Sequence, residues 1–227
     1  MLTTGRPAHD AREGWSSEPE EIVAELDAVG VRAAWHEDDL ADPAAPARIL
    51  DAAERTIGPV RALVACHAHS ETGGLMETDP EQLDRHLGVN VRGTLLLAQE
   101  LVRRLDGPGR IVVFTSGPPL TGEIAYAASK GALEWAVLSA AVELGPRGVT
   151  VNAIDPGPTD TGWMDDGLRE AVARATPLGG AGRPGDTAAL VTFLCSDAAA
   201  RVTGQVIHAD GGFSLLGAAP RFGREQV

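Results

Sequence analysis

Two side chains that can move a proton stand four residues apart in EIAYAASKGALEW, residues 123–135. They are Tyr126 and Lys130, the single tyrosine and the single lysine of a 227-residue chain. A phenol in water holds its proton to about pH 10. At i and i+4 the two share one helix face, where the ammonium favours the phenolate and brings its acidity toward the neutral range. A tyrosine so tuned serves as a general acid or base. The plainer reading is a half-buried tyrosine beside a solvated lysine, an offset that chance produces in roughly one of a couple of hundred such chains.

Further residues could do chemistry nearby. Ser116 closes the apolar run GRIVVFTS ten residues before Tyr126. Its hydroxyl can bond the substrate oxygen that the tyrosine protonates; taken alone, it is a turn-capping serine. Asn90 is one of two asparagines and lies inside HLGVNVRGT, a helical pattern in which asparagine is a poor helix former. It is either an exposed helix position or a side chain that bonds helix backbone and water, distorting the helix to hold a proton relay. Cys66, His67 and His69, in ALVACHAHS, invite a metal reading. Alternation along a strand end puts Cys66 opposite the two histidines, against a shared ion. Packing is the expectation there, with no metal site and His67 lining a cleft.

These residues need elements to position them. EPEEIVAELDAVG (18–30) predicts a helix ending at Gly30, and VRAAWHE a short strand. PAAPARILDAAERTIG predicts a helix and PVRALVAC an apolar strand. DPEQLDRHLGVNVRGTLLLAQELVRRL predicts one long helix with Asp79 as N-cap and Pro80 first. GRIVVFTS is a strand, AYAASKGALEWAVLSAAVELG a second long helix, VTVNAIDPG a strand, DTAALVTFLCSD a helix and GQVIHADGG a last strand. The first twenty residues are polar and read as loop. Near-continuous apolar strands are those buried on both faces of a parallel sheet. Their alternation with helices predicts a doubly wound α/β fold, in which ligands sit at the carboxyl ends of strands. Function is therefore expected in the loops after Glu37, Cys66, Ser116 and Asp155.

Length and composition set the outer limits. One domain over 1–227 is expected, with 1–17 as loop or disorder and 216–227 as a tail. A net charge of −13 disfavours nucleic-acid partners. No apolar run reaches a membrane span, the N-terminus lacks a signal-peptide core, and two cysteines make no disulfide framework. A reducing cytoplasmic setting is expected.

Taken together, YAASK, the strand-end TS, the helical VN, the DDL after a short strand, IDPGPTDTGW and PLGGAGRPGD…FLCSD…TGQVIHADGG resemble the short-chain dehydrogenase/reductase family, from about Val31 to Phe213. The resemblance implies a Rossmann-like sheet and a catalytic tetrad of Asn90, Ser116, Tyr126 and Lys130. Tyr126 is then the acid/base toward a carbonyl or alcohol oxygen, and Ser116 orients that oxygen. Lys130 lowers the tyrosine pKa and bonds the nicotinamide ribose, while Asn90 anchors a water. It implies NAD or NADP, with Asp39 and Leu40 at the adenine, Pro156 and Gly157 at the nicotinamide, and Thr159 and Thr161 at carboxamide and phosphates. Asn90, Tyr126 and Lys130 belong to the cofactor site as well. Asp155-Pro156 is otherwise plain turn chemistry. Residues 161–175 resemble the family's mobile lid, with Trp163 and Met164 available to an apolar pocket. The resemblance also implies a small-molecule substrate and a homodimer or homotetramer through the two long helices, using Leu95, Leu96, Leu97, Trp135 and Leu138.

The family pattern breaks in three places. The Ser-to-Tyr spacing of ten is short, trimming the loop GPPLTGEIA. Ala65-Cys66-His67-Ala68 stand where the family has Asn-Asn-Ala-Gly. No Gly-rich turn precedes residue 31, so the first βα unit is expected to be missing, strand 61–66 left as an unpaired edge, and strand 31–36 left without its neighbour. Arg6 falls where a 2′-phosphate would be read, and no preference between NAD and NADP follows. Two other functions fit part of the pattern: a lyase or isomerase using Tyr126 without nicotinamide, or a non-catalytic partner subunit.

Overall fold

The apolar runs IVVF and VTVNAI become the two middle strands of a parallel sheet. A computed structural model describes residues 1–5, 19–117 and 122–217. In chain order the elements are β1 (Leu2–Gly5), α1 (Pro19–Ala28), β2 (Ala34–Glu37), α2 (Ala45–Ile57), β3 (Ala62–Ala65) and α3 (Pro80–His86). A π-helical segment (Leu87–Gly93) leads into α4 (Thr94–Arg104), β4 (Gly109–Phe114), α5 (Ile124–Leu144) and β5 (Val149–Asp155). The described residues close with α6 (Asp166–Ala175), α7 (Pro184–Cys195), β6 (Val206–His208) and α8 (Phe213–Gly217).

The strands run parallel in the order β3-β4-β5-β6, with β1-β2 as a separate parallel pair. Strand alternation splits the core in two. Ile111, Val113, Val149, Val151 and Ala153 face α2, α4 and α5, packing with Ile49, Leu101, Leu133 and Val137. Val112 and Ile154 face the other way, onto Leu194 of α7. Leu101, Ile111, Leu133, Ile154 and Leu194 are fully buried, each contributing roughly 1.5–3 kcal/mol. This is the doubly wound α/β architecture that the strand pattern predicts.

Several expectations need correction. Leu2–Gly5, read as loop, is a strand, because its backbone pairs with Ala34–Glu37 from Leu2↔Ala34 to Gly5↔Glu37. The strand expected at 31–36 therefore keeps a neighbour. The helix expected across 79–105 is interrupted by the π segment. The stretch 161–175, for which no element was expected, contains α6, whose N-cap Asp165 accepts from Leu168 N at 2.7 Å. Other signals hold: Asp79 accepts from Gln82 N at 2.8 Å, with Pro80 in the first turn, and Gly30 turns the chain at φ +80°. Strand β3 pairs only with β4 among the described residues. Leu2 and Leu63 rest on one core, yet no ladder joins β1 to β3. Arg6, the loop tip 118–121 and the tail from 218 onward lie outside the described residues.

Candidate active site

Helix α5 delivers both proton-handling residues. Its buried stripe is Ala125, Ser129, Lys130, Leu133, Val137 and Ala141. Steps of three and four keep these on one side, so Lys130 is carried inward with the apolar face. Lys130 is 2% exposed. Its Nζ donates to the carbonyl of Phe114, at the end of β4, at 3.0 Å. It also stands 5.5 Å from the centre of the Tyr126 ring. The expected acidity does not follow from this proximity. Burial pushes Tyr126 up to about 12, with the charges of Glu123 and Asp155 adding to it. Burial likewise pushes Lys130 down to about 8. The cost of a buried phenolate outweighs the neighbouring ammonium, so Tyr126 keeps its proton at neutral pH and stands ready as a donor.

Asn90 explains the π segment. It is fully buried. Its Oδ1 accepts from His69 N at 2.6 Å, and its Nδ2 donates to His69 O and to Ser129 Oγ, each at 2.9 Å. Ser129 Oγ donates onward to Tyr126 O at 2.7 Å. The widened turn is what lets this amide leave the helix and lock the loop after β3 to the first turn of α5. The distortion expected of this asparagine is present, although its own carbonyl accepts from Thr94 Oγ1 at 2.7 Å.

Three histidines line the same region: His69, expected to pack, His67, expected along a cleft, and His86, which sequence reasoning did not single out. His67 Nε2 lies 3.3 Å from Val89 O and 3.2 Å from Thr94 Oγ1. Burial, helped by the charge of Lys130, pushes it down to about 4 and keeps it neutral. His86 is fully buried, donating from Nδ1 to Gln82 O at 2.7 Å and accepting from Glu71 N at 3.1 Å. Its ring meets Tyr126 edge-on at 6.4 Å and His69 at 4.7 Å. Cys66, His67 and His69 do not converge. Among the described residues, the group whose donor atoms do is Asp155, His208 and Asp210, all within 4.8 Å of one another.

Ser116 lies two residues past Phe114, half-buried, on the strand end that receives Lys130. No hydrogen bond joins it to Tyr126 among the described residues. Tyr126, Lys130, Asn90 and the Ser116 strand end thus gather at the carboxyl edge of β3, β4 and β5, as the α/β rule requires.

Comparison with known proteins bears on this arrangement. A family model described as enoyl-(acyl carrier protein) reductase matches residues 11–214. A Bacillus subtilis protein named uncharacterized oxidoreductase YjdA is 40% identical over 209 residues, which are 88% of this chain and 83% of that protein. The chain belongs to the short-chain dehydrogenase/reductase family. A solved short-chain dehydrogenase/reductase from Serratia marcescens superposes with a TM-score of 0.84 at 30% identity, covering 94% of this chain and 86% of that one. A blue fluorescent protein from a metagenomic library, solved in complex with NADPH, gives 0.84 at 32% identity, covering 94% of this chain and 87% of that one.

The positions that the short-chain dehydrogenase/reductase resemblance assigns to a cofactor are unevenly open. Lys130 gives one of its ammonium protons to Phe114 O, leaving two for a ribose. Gly157 has φ +60°, and a Cβ there would stand 2.4 Å from that of Asp210. Only glycine can make this turn. Its N–H donates to Asp155 Oδ1 at 3.0 Å, the turn chemistry expected of Asp155-Pro156. Thr159 Oγ1 donates to Pro156 O at 3.2 Å and braces the same turn, while Thr161 is exposed. Leu40 is 9% exposed, a member of the core, and packs on Gly93. Asp39 Oδ1 accepts from Ala41 N at 2.9 Å. Leu40 serves the core first. Trp163, half exposed, donates from its indole to Thr159 O at 3.0 Å, and Met164 is buried.

Proposed function

We propose that the chain is an NAD(P)-dependent oxidoreductase that interconverts a carbonyl and a secondary alcohol, using Asn90, Ser116, Tyr126 and Lys130. The observation that carries this reading is the buried Lys130 held between Phe114 O and the Tyr126 ring at the strand ends. Tyr126, protonated at neutral pH, is the proton donor to the carbonyl oxygen; a bound nicotinamide would supply the hydride. Ser116 orients that oxygen. Lys130 holds the ribose with its remaining protons. Asn90 holds the π segment, and through Ser129 it fixes the backbone of Tyr126. A tyrosine that keeps its proton favours carbonyl reduction at neutral pH, and alcohol oxidation gains as pH rises. Pro156, Gly157, Thr159 and Thr161 take the nicotinamide end, and Asp39 with Leu40 the adenine end. The NADPH complex of the 32%-identical neighbour supports NADP as the first cofactor to try.

One finer reading goes with it. The chain pairs with a second copy through α4 and α5. Trp135, Leu138 and Val142 lie on one face of α5, with Trp135 75% and Val142 81% exposed. Contiguous apolar exposure of this kind marks a contact surface. The test of function is NADPH binding by fluorescence titration, followed by turnover of a panel of ketones and aldehydes. Binding with carbonyl-dependent NADPH loss supports the reading; no binding of either nicotinamide dinucleotide overturns it.

A further inference from the structure

Asp155 closes β5, His208 closes β6, and the two are register partners across the ladder. Paired residues of parallel neighbours project from the same face, so the sheet itself brings together side chains 53 positions apart. Asp155 is 2% exposed. Its Oδ2 lies 2.9 Å from His208 Nδ1, and its Oδ1 accepts from Gly157 N at 3.0 Å. A carboxylate can only accept from that ring nitrogen, so Nδ1 carries the proton and the imidazole is fixed in orientation.

The same carboxylate touches the substrate side. A Cβ on Gly117 would lie 2.6 Å from Asp155 Oδ2, so the residue after Ser116 rests directly on it. Asp210, also buried, backs Gly157 from behind, and its oxygens accept from Gly212 N and Ser214 N at 2.8 Å each. His208 Nδ1, Asp155 Oδ1 and both oxygens of Asp210 are thus engaged within the fold. The cluster is therefore arranged as a fastening between segments rather than as a cage for an ion.

We propose that Asp155 and His208 are positioning residues, a brace that sets the Gly157 turn and Gly117 against each other and so keeps the nicotinamide end of the site in register with Ser116. The part of this that concerns the cofactor rests on the nicotinamide reading above. Asp155 is too buried for its replacement alone to be informative. His208, 46% exposed at its side chain, can be changed without opening the core. His208→Ala removes the second anchor; His208→Asn puts an amide N–H near the place of Nδ1.

Two measurements test the brace. In the cofactor-free protein, amide resonances of Gly157 and Gly117 move in His208→Ala, return toward wild type in His208→Asn, and the resonance of Val112 stays in place in both. In NADPH titrations, His208→Ala weakens binding about tenfold and lowers kcat by up to about a hundredfold, as misplacement of a reacting group does, while His208→Asn recovers most of both. Unmoved Gly157 and Gly117 resonances, or wild-type affinity and kcat in His208→Ala, overturn the brace. A wild-type protein that binds no dinucleotide overturns the nicotinamide reading instead, and the resonances still decide whether the brace exists.

Discussion

Lys130 is held in its site at the expense of stability. Burial makes the ammonium costly in the fold and brings its pKa down to about 8, while the unfolded chain holds the proton to its ordinary value near 10.5. The penalty is therefore full below about pH 8 and is relieved as pH rises from 8 toward 10.5. Lys130→Met should abolish turnover yet raise the melting temperature at pH 7 by several degrees, on the order of 2 kcal/mol after allowing for the lost bond to Phe114 O. Thermal scans across pH check this: the gain should shrink to nothing by about pH 10. His67 acts at the acid end. Neutral in the fold down to about pH 4 and ordinarily basic at 6.5, it contributes stability above pH 6.5 that is lost as pH falls through that window. His67→Gln should flatten the wild-type loss of melting temperature between pH 6.5 and 4. The positions of Tyr126 and Lys130 were legible from a spacing of four, but their acidities were not. Burial sets them, and burial belongs to the assembled fold.

At the scale of elements, Asn90 decides the local geometry. Its amide makes three buried hydrogen bonds, joining the loop after β3, the π segment and α5. Asn90→Ala leaves the backbone groups of His69 without these partners and should cost about 3 kcal/mol, roughly 6–12 °C in melting temperature for a chain of this size. Differential scanning calorimetry measures it, and Asn90→Asp should be no milder, because a carboxylate keeps the acceptor for His69 N but turns a second acceptor onto His69 O in a buried site. Strands β4 and β5 were legible because burial on both faces leaves an unbroken apolar run. The start of α3 was legible because Asp79 and Pro80 are cap chemistry. β1 was not, since LTTG has a single apolar residue and becomes a strand only through pairing with Ala34–Glu37. The Asp155–His208 contact was invisible for a similar reason: only the β5–β6 register makes the two residues neighbours.

For the molecule as a whole, the sheet is secured from β3 to β6 and divided between β1 and β3. Every residue of β5 is buried, whereas Val64 of β3 is substantially exposed. Hydrogen exchange should therefore be slowest in β4 and β5 and clearly faster in β1 and β3, following local stability. Among the described residues no helix is long and apolar enough to cross a membrane. If the exposed face of α5 meets a second copy, Trp135→Glu combined with Val142→Glu should shift the sedimentation coefficient to that of a monomer without lowering the melting temperature of the isolated chain. The measurement that bears most directly on the account is NADPH oxidation by a reducible carbonyl, compared between wild type and Tyr126→Phe at matched cofactor saturation. The account predicts a turnover rate lower by about a thousandfold, the weight of a general acid. Turnover equal to wild type in Tyr126→Phe would contradict it.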